Sequence, residues 1–132
     1  MEKVRSYKDL KVWQKGADLA LEVYVLSKNF PKDELYGLTS QLRRAAISIP
    51  SNIAEGSERK AVRDFLRFVR IASGSLAEVE TQLYMAFRLG YIAEGEYQNV
   101  QPLMAEIGRM LNGFANNLAE QLATGDRLLA TS

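Results

Sequence analysis

Apolar residues recur at every third or fourth position along almost the whole chain, and no stretch alternates in twos as a strand would. Ser6 followed by Asp9 reads as a capping box, and behind it Leu10, Trp13, Ala17, Ala20 and Tyr24 form one row. A second row, Val12, Leu19, Val23 and Leu26, runs beside it. Phe30-Pro31 should stop this helix, because proline disfavours helical geometry in the residue before it. Asp33 is the expected N-cap of a second helix, whose stripe is Leu35, Leu38, Leu42, Ile49 and Ile53, with Ala45 and Ala46 between and Gly56 as a stop. A third helix carries Phe65, Leu66, Val69, Leu76, Val79, Leu83 and Phe87 inward and ends at Gly90. In a fourth, Val100, Met104, Ile107, Leu111, Phe114 and Leu118 alternate in steps of four and three, a heptad-like stripe suited to bundle packing.

The expected helices therefore cover about 7–29, 33–56, 62–89 and 96–122, with a frayed tail over 125–132. At 1.5 Å per residue each is roughly 30–40 Å long. Their short connections make consecutive helices antiparallel. The fold class this predicts is all-α, with residues 1–132 forming one up-down-up-down antiparallel four-helix bundle.

One segment, "SIPSNIAEGSERK", puts polar residues and a proline where the second helix should bury its core. Pro50 removes a backbone hydrogen bond and costs about 3 kcal/mol in a helix interior. Ser48, Ser51 and Asn52 lie beside the freed carbonyls. Gln41, Ser48, Asn52 and Glu55 share one face, about 100° from the apolar stripe. Ser75, Glu78 and Gln82 form a matching row on the third helix. An antiparallel turn near 58–61 sets Gln41, Arg43 and Arg44 opposite that row. These residues should form a half-buried polar seam, with Arg43 or Arg44 paired to Glu78, since such groups need partners and arginine suits a carboxylate.

Composition narrows the chemistry. Of the 132 residues, 17 are Lys or Arg and 16 Asp or Glu, a net charge of +1 that gives no whole-surface attraction to nucleic acid. With no cysteine there is no disulfide or thiolate chemistry, and with no histidine the commonest general base and metal ligand is missing. Glu55 and Glu78 fall far apart in the antiparallel register, so they do not make an acid–base pair. The sequence offers no catalytic, cofactor or metal constellation. The charged start of the chain lacks a signal-peptide core, and no apolar run approaches ~20 residues. The expectation is a cytoplasmic protein without a membrane span.

Charge is nevertheless clustered. Arg59, Arg63, Arg67 and Arg70 recur at steps of four, four and three, with Lys60 beside them. Lys8, Lys11 and Lys15 make a second row on the first helix. Rows of this kind bind phosphates. The plainer reading is a solvated face with Glu58 and Asp64 as local partners. No aromatic is interleaved for base stacking, so any contact would be to a nucleic-acid backbone. Tyr7, Tyr36 and Tyr84, off the main stripes, suit subunit packing.

The run "VWQKGADLALEVYVLSKNFPKDELYGLTSQLRRAAISIPSNIAEG", followed by "FLRFVRIASGSLAEVETQLYMA", resembles the four-helix-bundle family of proteins encoded in 23S ribosomal RNA intervening sequences. The resemblance covers roughly residues 7 to 120. It rests on Trp13, Pro31, Glu34, Leu38, Gln41, Arg43, Arg44, Pro50, Asn52, Glu55, Gly56, Phe65, Phe68, Ser75, Glu78 and Gln82. Ala61 departs from it, standing where the family often has a hydroxyl residue. The resemblance implies a left-handed up-and-down bundle, a homopentameric ring and no known catalytic activity. A more distant likeness is to the accessory proteins of diversity-generating retroelements, pentamers that bind nucleic acid and a reverse transcriptase.

The sequence thus favours a non-enzymatic, self-associating binding module that engages RNA, DNA or a nucleic-acid-processing enzyme. The alternative is a purely structural assembly protein without nucleic-acid binding. An enzyme using Glu55 or Glu78 trails both.

Overall fold

Ser6 and Asp9 do form a capping box: Ser6 Oγ accepts from the backbone N–H of Lys8, and the Asp9 carboxylate accepts from that of Ser6. They cap a 3₁₀ turn, Tyr7–Asp9, rather than the long helix. Leu10 then takes an extended conformation, and helix α1 spans Lys11–Ser27. The computed structural model describes residues 6–131, with side chains over 6–125. Helix α2 spans Ser40–Ser57, α3 Val62–Arg88 and α4 Glu94–Thr131. Among the described residues there is no strand.

The four helices close a square. Helix α1 packs on α2 and α4, α2 on α3, and α3 on α4. Their directions follow from which residues meet. Gly16 of α1 lies beside Ile49 of α2, whereas Ser27 meets Arg43. Gly56 lies against Phe65 and Phe68, whereas Ser48 meets Ser75. Phe65 meets Phe114 and Phe87 stacks on Tyr97. Residue numbers rise on one helix as they fall on its neighbour, so the bundle runs up-down-up-down.

The core is a single cluster drawn from all four helices, including Leu19, Val23, Leu42, Ile49, Ile53, Val69, Val79, Leu83, Ile107 and Leu111. Stripes on α2, α3 and α4 bury largely as their periodicity predicts. On α1 the second row, Val12, Leu19, Val23 and Leu26, enters the core. The first row is only partly covered: Trp13 is half-buried and Tyr24 exposed, and with Ala17 they line a groove against Pro50 and Ala54 of α2. Leu35, expected in the core, is exposed.

Several helix ends differ from the expectation. The chain entering α2 makes a 3₁₀ turn, Lys32–Glu34, and then one π turn, Leu35–Thr39. Its cap is Glu34, whose carboxylate accepts from Leu38 N–H, so Asp33 is not the N-cap. Gly37 breaks the helical geometry there at φ −117°, ψ −114°.

Gly56 lies inside α2, which ends at Ser57. A Cβ on it would fall 2.7 Å from Phe68 Cβ and 2.9 Å from Phe65 Cδ1. Glycine here permits close approach of α2 and α3 rather than ending the helix.

Gly90 closes α3 as expected, at φ +81°. Its N–H donates to Phe87 O and that of Tyr91 to Ala86 O, a Schellman cap closing α3. Helix α4 begins before residue 96, with Glu96 capping the Ala93 N–H at 2.9 Å. It continues past Leu122 through the tail expected to fray. Gly125 is the one strong helix breaker there, and a single glycine costs only about 1 kcal/mol in a helix. Residues 1–5 and 132 lie outside the described residues.

Candidate functional site

The polar row of α2 meets that of α3 as the antiparallel register predicts. Ser48 Oγ lies 2.8 Å from Ser75 Oγ, and Ser75 is buried. Asn52 Nδ2 donates to both the carbonyl and the hydroxyl of Ser48, each at 2.8 Å. The bond that Pro50 deletes is the one to Ala46 O, so Asn52 steadies the neighbouring turn rather than replacing the lost bond. Pro50 itself is buried beside Gly16 of α1.

Around the serine pair is a cavity of about 380 Å³, lined by Gln41, Arg44, Ala45, Ser48, Ser75, Glu78 and Gln82. Gln82 Oε1 is buried and accepts no hydrogen bond. Arg44 and Glu78 are exposed at the rim.

The expected arginine–Glu78 ion pair does not form. Adjacent helical positions point about 100° apart, which sends Arg43 and Arg44 to different sides of α2. Arg43 turns toward α1, donating from Nε to Ser27 Oγ at 2.8 Å with its guanidinium 4.7 Å from the Tyr24 ring centroid. Arg44 shares the cavity with Glu78, yet their charged atoms are more than 4.0 Å apart. Glu55 is remote from this cavity and binds Arg59 at 3.1 Å.

The second candidate is the basic row. Arg59, Lys60, Arg63, Arg67 and Arg70 are all exposed near the turn joining α2 to α3. Arg63, Arg67 and Arg70 line one open groove of about 620 Å³ with Asp64, Leu66, Ile71 and Leu122. None of these three arginines has an acidic partner within 4.0 Å among the described residues. Arg59 is engaged with Glu55, and Arg59 and Arg67 both lie over the Phe68 ring, 5.1 and 4.8 Å from its centroid. Lys60 lies with Arg59 at a separate pocket closed by Phe65 and Phe114. Of the second basic row, Lys8 falls in the 3₁₀ turn before α1 and is exposed, Lys11 of α1 is exposed, and Lys15 pairs with Glu106 at 3.7 Å.

Ser27 takes part in these sites without having been singled out in the sequence, and Tyr24 and Phe68 appeared there without these roles. Ser27 had a faint signal, as a polar residue one position beyond the core residue Leu26 and one turn from Tyr24. For Phe68 the contact with Arg59 had no sequence signal, because Arg59 lies on the far side of a turn.

Among the described residues no three of His, Cys, Asp or Glu gather to hold a metal ion, and no helix is long and apolar enough to cross a membrane.

A protein of unknown function from the S23 ribosomal protein family of Bacteroides thetaiotaomicron has a similar structure, with a TM-score of 0.73 and 24% identity. The alignment covers 80% of this chain and 95% of that one. No curated protein matches the chain. The family model for the 23S rRNA-intervening sequence protein matches residues 8–113, which takes in helices α1 to α3, the polar cavity, the arginine row and much of α4. The chain belongs to the 23S rRNA-intervening sequence protein family.

Proposed function

We propose that this chain is a non-enzymatic, self-assembling module that holds a nucleic-acid backbone against its arginine face. The observation that carries the reading is the groove where Arg63, Arg67 and Arg70 stand exposed with no acidic partner within 4.0 Å among the described residues. Guanidinium groups not neutralised from within the fold are available to phosphates, and each phosphate contact releases condensed counterions. Phe68 beneath Arg67 is buried, so it steadies the guanidinium instead of offering a stacking face to a base. The contact is therefore to the backbone, tolerant of sequence, and equally suited to RNA and DNA. Either nucleic acid could arrive alone or with an enzyme that processes it, such as a reverse transcriptase.

Self-assembly is supported by the apolar surface that one bundle leaves uncovered. Leu21 and Val25 on α1 are 68% and 66% exposed, and Tyr36 is 93% exposed. A ring of copies, the homopentamer that the family resemblance implies, would cover such surface and repeat the arginine groove on every subunit. One groove alone binds weakly, around ~10⁻⁴–10⁻⁶ M at physiological salt, and repetition could raise avidity by ~10²-fold or more.

The test is a filter-binding titration of structured RNA at low salt, with wild type and the Arg63→Glu/Arg67→Glu double variant side by side. The expected result is saturable binding by the wild type and its loss in the variant, with unchanged far-UV circular dichroism. Equal binding by both, or none by either, would leave a structural assembly protein with a solvated basic face.

A further inference from the structure

The cavity between α2 and α3 has an uncommon set of unmet groups for a structural seam. Glu78 and Gln82, one turn apart on α3, both line it, and Gln82 Oε1 is buried without a donor. Across the cavity, Arg44 of α2 has no acidic partner within 4.0 Å among the described residues. The serine pair on its floor has two hydroxyl hydrogens and uses only one between its members, which leaves one to donate. One wall is thus rich in acceptors and the other carries a cation, with no ion pair within 4.0 Å joining them. The volume, about 380 Å³, lies at the small end of the ~300–1,000 Å³ range of small-molecule sites.

We propose that this cavity binds a small zwitterion of the amino-acid class. Its cationic end sits between the Glu78 carboxylate and Gln82 Oε1, and its carboxylate on Arg44. A multi-donor cation satisfies both acceptors at once, and Gln82 gains the partner that burial demands. A guanidinium fits best, because its donors point in several directions within one plane, toward groups one helical turn apart. The carboxylate is then placed to meet the Arg44 guanidinium in a two-point contact. Neither pole alone completes the site: a plain cation leaves Arg44 unmet, and a plain anion leaves Glu78 and Gln82 unmet. This site is separate from the arginine groove, which is lined by other residues of α3 and by Leu122 of α4.

The experiment is isothermal titration calorimetry of the full chain with L-arginine, run beside agmatine, which lacks the carboxylate, and L-citrulline, whose neutral urea replaces the side-chain guanidinium cation. L-arginine should bind saturably at one site per chain. Agmatine and citrulline should each bind at least ~10-fold more weakly, and so should L-arginine to Glu78→Gln and to Arg44→Gln. Light scattering and thermal melts of both variants should match the wild type. Absence of saturable heat would overturn the proposal. So would agmatine binding as tightly as arginine, which would mean simple cation capture by an acidic rim. A fall in assembled mass in either variant would assign Arg44 and Glu78 to contacts between copies of the chain and would equally overturn it.

Discussion

Ser48 and Ser75 bring their hydroxyl oxygens to 2.8 Å of each other across the α2–α3 interface, and Asn52 holds Ser48 from below. Polar residues in the middle of a helix are thereby turned into an interhelix clamp. Ser75→Ala should destabilise the bundle by about 0.5–1.5 kcal/mol, since Ser48 keeps its bond to Asn52. Asn52→Ala removes two bonds at once and should cost more. The Ser75→Ala/Asn52→Ala double variant should fall short of the sum, because both act through Ser48. Urea melts of the three variants give all of these values.

Gly56 and Gly74 should respond oppositely to alanine. At Gly56 the new methyl meets the Phe68 and Phe65 side chains inside 3.0 Å, so α2 and α3 must part, at about 1–3 kcal/mol. At Gly74, inside α3, nothing lies within 4 Å of an added Cβ, and the change should stabilise by about 0.5–1 kcal/mol. Thermal midpoints should move down for the first and up for the second.

Both glycines lie within helical periods, and the sequence does not tell one from the other. Periodicity located the four helices because burial repeats every turn. It misplaced what depends on direct contact. Gly56 looked like a stop and proved to be a point of close approach. Arg43 or Arg44 looked like a partner for Glu78, yet Arg43 turned to Ser27 on α1 and Arg44 only shares a cavity with Glu78, because adjacent helical positions point about 100° apart. Asp33 looked like a cap, but the π turn after it moved the capping role to Glu34. The pairing of the two polar rows was legible, since an antiparallel register follows from the length of one turn. The arginine row was legible as a row. That Arg59 is held by Glu55 while Arg63, Arg67 and Arg70 share a groove with Leu122 is a tertiary fact, because Leu122 is more than fifty residues away in sequence.

At the other end of the bundle, Tyr91 donates from its hydroxyl to Glu34 Oε2 at 2.9 Å, tying the α3–α4 connection to the α1–α2 connection. That hydrogen bond, with burial and the negative charges of Glu34 and Asp33, raises Tyr91 above its ordinary value of 10.0. The folded state therefore holds the phenolic proton more tightly than the unfolded chain. This stabilisation is complete below about pH 10 and is lost as pH rises through the elevated native value. Thermal midpoints measured from pH 8 to pH 11 should drop at the alkaline end for wild type. Tyr91→Phe should start lower and follow a flatter course there.

Assembly should answer to the exposed face of α1. Light scattering at micromolar concentration should return a multiple of the 14.8 kDa chain. Leu21→Glu with Val25→Glu should bring the mass down toward a single chain while helix content stays constant, because both side chains point away from the core. An unchanged mass in this variant would place the subunit contact elsewhere, with the surface around Tyr36 next to be tested.

The most direct test of the arginine face is the salt dependence of duplex DNA binding. Three phosphate contacts per chain predict a slope of log K against log salt of about −2.7 for one groove, and steeper where several subunits engage the same duplex. Each of Arg63→Gln, Arg67→Gln and Arg70→Gln should make the slope shallower by about 0.9 per groove engaged, with little change between DNA sequences. A slope near zero, or one that the triple variant leaves unchanged, would contradict the account and show that these arginines do not hold the backbone.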